Sequence, residues 1–192
     1  MRMIGIAWAM SSPDGGLVQR PLFPFTALVA AALCTAFAGP VAAAPAPRLN
    51  ASSFADLKKP LPLPYDETAN ADAAVAAAKA RARARGKLLL IDLGGNWCPD
   101  CRVLAGTLAL PELRAFIDRH YELVMVDVGR FDRNLQIPAR YGIKDRLEGV
   151  PSVLVIDPRT DRLINSGRVA ALADARAMTP QALADWFAQW VR

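Results

Sequence analysis

The chain has 192 residues, 53% of them hydrophobic, and a net charge of +5 from 23 lysines and arginines against 18 acidic residues. This length suits one domain with additional segments. The longest basic pattern, Arg81, Arg83 and Arg85, alternates along a predicted helix and is expected to form its solvent-exposed side. Composition and charge therefore argue against nucleic acid as a partner, because such an interface needs a clustered basic face.

Residues 1–44 look like an export signal. Arg20 precedes an alanine-rich apolar stretch over 23–38, and residues 41–44 offer a small-residue cleavage site. We expect this segment to be removed after either of its last two alanines, and we expect translation to start near Val18. The mature protein would then be periplasmic. The alternative is that the apolar stretch stays in place as a membrane anchor.

Cys34 lies in this apolar stretch and is expected to leave with it. The large Leu33 before it is unlike a lipid-attachment signal. Cys98 and Cys101 would be the two cysteines of the mature chain. Disulfides persist in an oxidising compartment, so a single close pair there indicates redox chemistry rather than cross-linking for stability.

A proline-rich segment follows over residues 45–68, with prolines at 45, 47, 60, 62 and 64. Proline favours extended backbone and blocks helices. We therefore predict a linker here, either disordered or holding a domain over 69–192 away from the membrane.

The predicted domain alternates between helices and strands. Its predicted elements are a helix over 70–85, a strand over 87–93, helices over 98–107 and 111–120, a strand over 121–128, a short helix over 134–141, strands over 152–156 and 163–165, and a helix over 179–191. Helices between strands require parallel pairing through right-handed crossovers, whereas the final hairpin adds antiparallel strands. The pattern predicts an α/β fold with a mixed central sheet and helices on both faces.

The stretch from Ile91 to Cys101 carries the candidate chemistry. Cys98 would lie at the start of a helix, where unpaired N–H groups and partial positive charge lower the pKa of a thiol. Cys101 would lie one turn inside the same helix, close enough to attack a mixed disulfide formed on Cys98. The spacing therefore indicates a two-electron redox pair.

Other interpretations of the pair are weaker. A zinc site usually needs four ligands, and the remaining candidates are Cys34 and His120. A covalent haem site would need histidine after Cys101, where the chain has Arg102. A structural disulfide is possible, although so small a loop constrains the unfolded chain little.

Two carboxylates accompany the cysteines. Asp92 lies in an otherwise apolar strand, where burial would raise its pKa and let it act as general base toward Cys101. Strand alternation leaves a solvent-facing Asp92 as the alternative. Asp100 lies between the cysteines, where its charge opposes a thiolate at Cys98. We therefore predict a more reducing couple than a basic residue at that position would give.

These motifs resemble the thioredoxin superfamily. The run Trp97-Cys98-Pro99-Asp100-Cys101 is similar to its Trp-Cys-x-x-Cys active site, and Asp92 matches its buried acid. The run Gly149-Val150-Pro151-Ser152 is similar to the segment whose proline is cis and faces the cysteines. The resemblance covers about residues 69–192 and is strongest to exported bacterial thioredoxin-like proteins.

The resemblance implies a thioredoxin-like fold and a substrate chain that pairs in extended form with the backbone of Val150. Two departures stand out. Residues 144–148 lengthen the approach to Pro151, and no lysine lies where thioredoxins pair one with the buried acid. Met125 is the nearest residue to that position.

We therefore expect an exported thiol–disulfide oxidoreductase that works as a monomer, without a metal or other cofactor. Its partners would be protein thiols and disulfides and a membrane electron donor. The expected site consists of catalytic Cys98, Cys101 and Asp92, substrate-binding Trp97, Val150 and Pro151, and redox-tuning Pro99 and Asp100. The alternatives are a periplasmic copper chaperone that uses the two thiols as soft ligands and a non-catalytic domain that docks partners.

Overall fold

The computed structural model of the protein describes residues 44–191. The predicted export signal, apart from Ala44, and the predicted translation start lie outside the described residues. None of the helices between residues 44 and 191 combines the length and apolar character that a membrane span requires.

A mixed sheet of four strands forms the centre of the fold, in the order β2-β1-β3-β4. The strands are β1 (Leu88–Gly94), β2 (Tyr121–Asp127), β3 (Ser152–Asp157) and β4 (Arg162–Leu163). β1 is parallel to β2 and antiparallel to β3, and β3 is antiparallel to β4. The predicted mixed sheet is thus confirmed.

Five α-helices accompany the sheet within the described range. They are α1 (Ala71–Arg85), α2 (Pro99–Leu108), α3 (Pro111–His120), α4 (Gln136–Ala139) and α5 (Pro180–Ala188). Two short 3-10 helices span Phe54–Asp56 and Ala175–Ala177. Capping sets the bounds of α1 as predicted: the Asn70 side chain accepts a hydrogen bond from the Ala73 N–H, and Gly86 ends the helix in a left-handed conformation.

The direction of β3 corrects the expectation that a helix between strands brings parallel pairing. α4 has only four residues, which makes it about 6 Å long. A crossover would have to return along β2, whose seven residues span roughly 20 Å. α4 does not carry the chain back along β2; β3 starts at the end of the sheet where β2 finishes and runs antiparallel to β1.

Two apolar clusters cover the sheet. One includes Val75, Ala78 and Ala82 of α1. The other includes Leu104 of α2 and Phe187 of α5. The prediction of helices on both faces is confirmed, and the layers hold the start of α2 against the end of β1.

The proline-rich segment packs against the domain, which corrects the prediction of a free linker over 45–68. Residues 45–68 form no α-helix or strand, as the prolines predicted, but two of the large side chains in this segment are buried. Leu57 and Tyr65 are each only 3% exposed. Arg102 of α2 donates hydrogen bonds to the carbonyl oxygens of Leu61, at 3.0 Å, and Pro62, at 3.3 Å. We call residues 57–67 the strap.

The part before the strap is also attached. The Ala44 N–H donates to the carbonyl of Val191 at 2.9 Å, and the Leu49 N–H donates to Oε1 of Gln181 at 3.0 Å. These bonds join both ends of the described range to the surface around α5.

Candidate active site

The turn between β1 and α2 brings the two cysteines together. Cys98 is the N-cap of α2, and its Sγ accepts a hydrogen bond from the Cys101 N–H at 3.2 Å. Pro99, which is exposed, is the first helical residue, where its lack of an N–H costs nothing. Both cysteines are free thiols. The predicted placement of Cys98 at the helix start and Cys101 one turn on is confirmed.

The pKa of the Cys98 thiol is lowered to about 7. The largest cause is the hydrogen bond from the Cys101 thiol, and the Cys101 backbone N–H acts in the same direction, while burial and the charge of Asp100 oppose it. When protonated, Cys98 donates a hydrogen bond to the carbonyl oxygen of Val150 at 3.3 Å. Near neutral pH, Cys98 therefore has substantial thiolate character, which is the nucleophilic form.

Cys98 is shielded from solvent. It is only 3% exposed and belongs to the apolar cluster that also includes the buried face of α1. The neighbouring Trp97 is 39% exposed. A partner must therefore shift some of the surrounding groups before its disulfide reaches the sulfur.

Cys101 and Asp92 form the buried side of the site, at 0% and 1% exposure. The hydrogen bond with Cys98 is the largest cause that raises the pKa of Cys101, and burial and the charge of Asp92 add to it. Burial raises the pKa of Asp92 from 3.8 to about 7. The expectation of a buried acid with a raised pKa is confirmed. A group with that pKa can take a proton near neutral pH.

The hydrogen-bond partner of Asp92 comes from the strap and was missed by sequence reasoning. The Tyr65 hydroxyl donates to Asp92 Oδ2 at 3.1 Å. Asp92 Oδ1 is buried and has no hydrogen-bond partner among the described residues. The absence of a lysine near Asp92 could have indicated such a partner. Met125 lies beside Asp92 in the β1–β2 register, so the buried acid needed a polar partner from elsewhere in the chain.

Gly94 makes room for this arrangement. A Cβ atom on Gly94 would lie 2.3 Å from Tyr65 Oη and 2.8 Å from Cys101 Sγ. The side chain of Asn96 ties the backbone of Tyr65 to the same turn, accepting from its N–H at 3.1 Å and donating to its carbonyl at 2.8 Å. Close packing around Gly94 thus brings the strap, β1 and Cys101 into direct contact.

Trp97 lies on the outer side of the site. Its Nε1–H donates to the carbonyl of Gly129 at 2.7 Å, and the Arg130 guanidinium lies 4.7 Å from its ring centroid. Phe131 meets it edge to face, with ring centroids 6.1 Å apart. These contacts fix the orientation of the exposed Trp97 ring beside Cys98. The ring can offer apolar contact to a partner.

The Val150–Pro151 peptide bond is cis, as predicted. Both residues are buried, and the bond from Cys98 to the Val150 carbonyl joins this loop to the start of α2. In the extra residues 144–148 before it, Leu147 is buried and the Arg146 guanidinium lies 4.6 Å from the centroid of the Phe131 ring. The longer approach to Pro151 is thus anchored beside the outer side of the site.

Asp100 is 8% exposed and paired with Arg176, a residue that sequence reasoning missed. The Arg176 Nε lies 3.1 Å from Asp100 Oδ1, and the Arg176 N–H donates to the same oxygen at 2.9 Å. The Asp100 charge raises the pKa of Cys98, which is the predicted direction, but it is outweighed. No cluster of three or more histidine, cysteine, aspartate or glutamate side chains within residues 44–191 could hold a metal ion.

Residues 70–158 match a sequence family described as thioredoxin-like. A crystal structure described as a disulphide isomerase from Xylella fastidiosa Temecula1 is 40% identical over 67% of this chain and 96% of that chain, with a TM-score of 0.60. The chain belongs to the thioredoxin superfamily. A comparison with curated proteins gave no match.

A second solved structure is also similar to this thioredoxin-superfamily member. The C-terminal domain of DsbD from Neisseria meningitidis in the oxidised form is 25% identical over 47% of this chain and 77% of that chain, with a TM-score of 0.36. The family and the paired thiols support a thiol–disulfide function in general terms.

Proposed function

We propose that the protein is an exported thiol–disulfide oxidoreductase that reduces or exchanges disulfides in periplasmic proteins. One observation carries this proposal: Cys98 caps the helix that holds Cys101 and its Sγ accepts the Cys101 backbone N–H at 3.2 Å, and the pKa values of the two thiols are shifted in opposite directions. A thiolate beside a protonated thiol is the arrangement that two-step disulfide exchange requires. The relative from Xylella fastidiosa, described as a disulphide isomerase, supports the same class of reaction.

In the first step, the Cys98 thiolate attacks one sulfur of a substrate disulfide. A bond forms between Cys98 and that sulfur, the substrate S–S bond breaks, and the other substrate sulfur leaves as a thiolate. The Cys101 backbone N–H, which donates to Cys98 Sγ at 3.2 Å, stabilises the negative charge before attack.

In the second step, Asp92 takes the proton of Cys101, and the Cys101 sulfur attacks Cys98. The Cys98–Cys101 disulfide forms, the bond between Cys98 and the substrate breaks, and the second substrate sulfur leaves as a thiolate. Two electrons have then passed from the cysteine pair to the substrate. The proton on Asp92 neutralises one released thiolate, and solvent neutralises the other.

The substrate would approach past Trp97 and pair in extended form beside Val150 and Pro151. The Val150 carbonyl accepts a hydrogen bond from the protonated Cys98 thiol. Ionisation of Cys98 removes that donor, so the carbonyl becomes available to a substrate N–H at the moment when the sulfur becomes nucleophilic.

Asp100 favours reduction of substrates as the direction of the reaction. A strongly oxidising cysteine pair has a stabilised thiolate in its reduced form, and the charge of Asp100 opposes a thiolate at Cys98. A reductase in an oxidising compartment needs a supply of electrons, for which we propose a membrane thiol donor. We further propose that the protein acts as a periplasmic monomer after removal of the export signal.

Insulin disulfide reduction with a thiol as electron source tests the proposal. The wild-type protein should reduce insulin, and Cys98→Ser should not. Cys101→Ala should accumulate mixed disulfides, whose partners, captured from periplasm, would name the substrate and the donor. A folded wild-type protein without reductase activity that binds copper stoichiometrically through both thiols would instead indicate the copper chaperone. Full cellular activity of Cys98→Ser would indicate a docking domain.

A further inference from the structure

Tyr65 belongs to the strap and lies outside residues 70–158, the range of the thioredoxin-like match. It is nevertheless 3% exposed, and its hydroxyl lies 3.1 Å from Asp92 Oδ2. The space around Gly94 places the same hydroxyl next to Cys101 Sγ. A residue from the proline-rich segment is thus part of the innermost layer of the candidate site.

The surroundings of Asp92 leave Tyr65 as its hydrogen-bond donor. In the sheet register, Asp92 lies between Met125 on β2 and Val153 on β3, neither of which carries a polar side chain. The titratable groups that act on Asp92 are Tyr65, which lowers its pKa through the hydrogen bond, and Cys98, whose charge raises it; Asp92 in turn acts on Cys101.

The two oxygens of Asp92 therefore have different roles. Oδ2 accepts the Tyr65 hydrogen bond. Oδ1 is buried and has no partner among the described residues, although a buried carboxylate oxygen without a hydrogen bond is costly. Such an oxygen is the natural acceptor for a proton that arrives during the reaction.

We propose that Tyr65 is a positioning residue that holds Asp92 by Oδ2 and thereby keeps Oδ1 free to take the proton from Cys101. This inference rests on the proposed function. Tyr65 does not move a proton itself: burial raises the pKa of its hydroxyl above its ordinary value, so the hydroxyl keeps its hydrogen. Tyr65 thus gives Asp92 the polar partner that Met125 cannot provide.

The strap is built to deliver Tyr65 to this position. Asn96 binds the Tyr65 backbone on both its N–H and its carbonyl, and Arg102 holds the carbonyls of Leu61 and Pro62. Both holding residues flank the cysteine pair in sequence. The catalytic unit therefore begins before residue 70 and includes the strap.

The test is a single-turnover reaction of the reduced protein with an equimolar aromatic disulfide whose released thiolate is coloured. The first release reports attack by Cys98, and the second reports resolution by Cys101. Tyr65→Phe removes only the hydroxyl and keeps the ring. The first release should stay within about twofold of wild type, whereas the second should slow roughly tenfold near pH 7, the effect expected for loss of one hydrogen bond to a charged group.

The pH profile separates positioning from a structural role. Loss of the Tyr65 hydrogen bond raises the pKa of Asp92. The pH midpoint, at which the rate of the second release is half its maximum, should therefore move upward. The difference in rate from wild type should shrink in alkali. Tyr121→Phe is the matched control, because it removes another buried hydroxyl, which donates to the carbonyl of Phe187 at 2.6 Å. Its midpoint should equal that of wild type.

Asp92→Asn supplies the second comparison. If Tyr65 acts through Asp92, Tyr65→Phe should add no further slowing in the Asp92→Asn background. An unchanged midpoint in Tyr65→Phe, or equal slowing with and without Asp92, would overturn the inference. Absence of the first release in the wild-type protein would overturn the proposed function, and the inference with it.

A second measurement applies if Tyr65→Phe does not fold. Fluorotyrosine labelling of a chain with Tyr121→Phe and Tyr141→Phe keeps the shape of Tyr65 and makes its hydroxyl a stronger donor. The midpoint of the second release should then move downward relative to the unlabelled double variant. An unmoved midpoint would contradict the inference.

Discussion

Cys98 and Cys101 lie one helical turn apart in very different surroundings. Cys98 receives a backbone N–H at the start of α2 and lies beside the exposed Trp97. Cys101 is fully buried, and the charge of Asp92 helps to raise its pKa. The comparison shows that the position of the backbone shifts the pKa values of two identical side chains in opposite directions. Cys98 lies beside unpaired N–H groups, whereas Cys101 lies beside an acid in an apolar layer.

The two surroundings can be perturbed separately. Changes around Cys98 should alter the first attack and the pH at which the protein becomes reactive. Changes around Cys101 should leave that attack intact and alter the resolution of the mixed disulfide.

The largest expected effect comes from the cysteines themselves. Cys98→Ser should abolish disulfide reduction, because no thiolate remains at the helix start. Cys101→Ser should keep the first attack but stop at the mixed disulfide. Mass spectrometry after mixing with a model disulfide should show one added group in Cys101→Ser and none in Cys98→Ser. The reverse pattern would contradict the assignment of nucleophile and resolving thiol.

Asp92→Asn should produce the next largest effect, and only on the side of Cys101. Loss of a general base should slow resolution by roughly 100-fold near pH 7, while alkylation of Cys98 changes little. Stopped-flow measurement of both releases checks this. Slowing of the first release to the same extent would show that the two sides are not separable.

Asp92→Asn should also change how the stability of the protein depends on pH. The native state raises the pKa of Asp92 from 3.8 to about 7, so it favours the protonated acid. The stability contributed by the protonated group is fully present below about pH 4 and is lost as the pH rises through about 7. The unfolding free energy of Asp92→Asn relative to wild type should therefore increase by on the order of 4 kcal/mol from about pH 4 to 8. Urea unfolding across this range measures it, and a constant difference would contradict the raised pKa.

Gly94→Ala should disturb the buried side through packing. The new Cβ would lie 2.3 Å from Tyr65 Oη and 2.8 Å from Cys101 Sγ, so we expect a loss of about 1–3 kcal/mol in unfolding free energy together with slower resolution. Gly106→Ala is the control, because its Cβ would meet only side-chain ends, with Leu61 Cδ2 at 3.0 Å and Leu57 Cδ1 at 3.2 Å. Equal destabilisation of both variants would indicate a general sensitivity of the packing against the strap.

The smallest expected effect lies on the side of Cys98. Asp100 raises the pKa of Cys98, and Arg176 partly offsets that charge from 3.1 Å. Asp100→Asn should lower the Cys98 pKa slightly and Arg176→Gln should raise it slightly. Both changes are small because the charge of Asp100 is a smaller cause than the Cys101 hydrogen bonds and burial. The pH dependence of iodoacetamide alkylation measures both, with Arg159→Gln in the β3–β4 turn as control.

Asp100→His extends the test to the redox potential. A basic residue between the cysteines should stabilise the Cys98 thiolate and raise the potential, making the couple more oxidising. Equilibration with glutathione measures the change. An unchanged or lower potential would contradict the tuning role of Asp100.

Sequence patterns predicted the features that depend on neighbours along the chain. Caps such as Asn70 fixed a helix boundary, and the cysteine spacing placed both thiols because one helical turn sets their separation. The buried acid was recognisable because an apolar strand surrounds it. These interactions are local, so residue order is enough to predict them.

Contacts between distant segments were not predictable in this way. Tyr65 reaches Asp92 across 27 positions, and Arg176 reaches Asp100 across 76. Proline content correctly indicated that the strap contains no α-helix, but this does not reveal which surface Leu57 and Tyr65 cover. The direction of β3 was also not predicted, and the helix predicted over 134–141 spans only Gln136–Ala139.

The hydrogen bond between Ala44 and Val191 has a practical consequence for protein engineering. A few glycines could connect these two positions, and new termini could be opened at the exposed residues 159–160 in the turn between β3 and β4. That turn follows the end of β3 opposite to Pro151, so a circularly permuted protein would keep the strap, both thiols and the cis-proline loop uninterrupted.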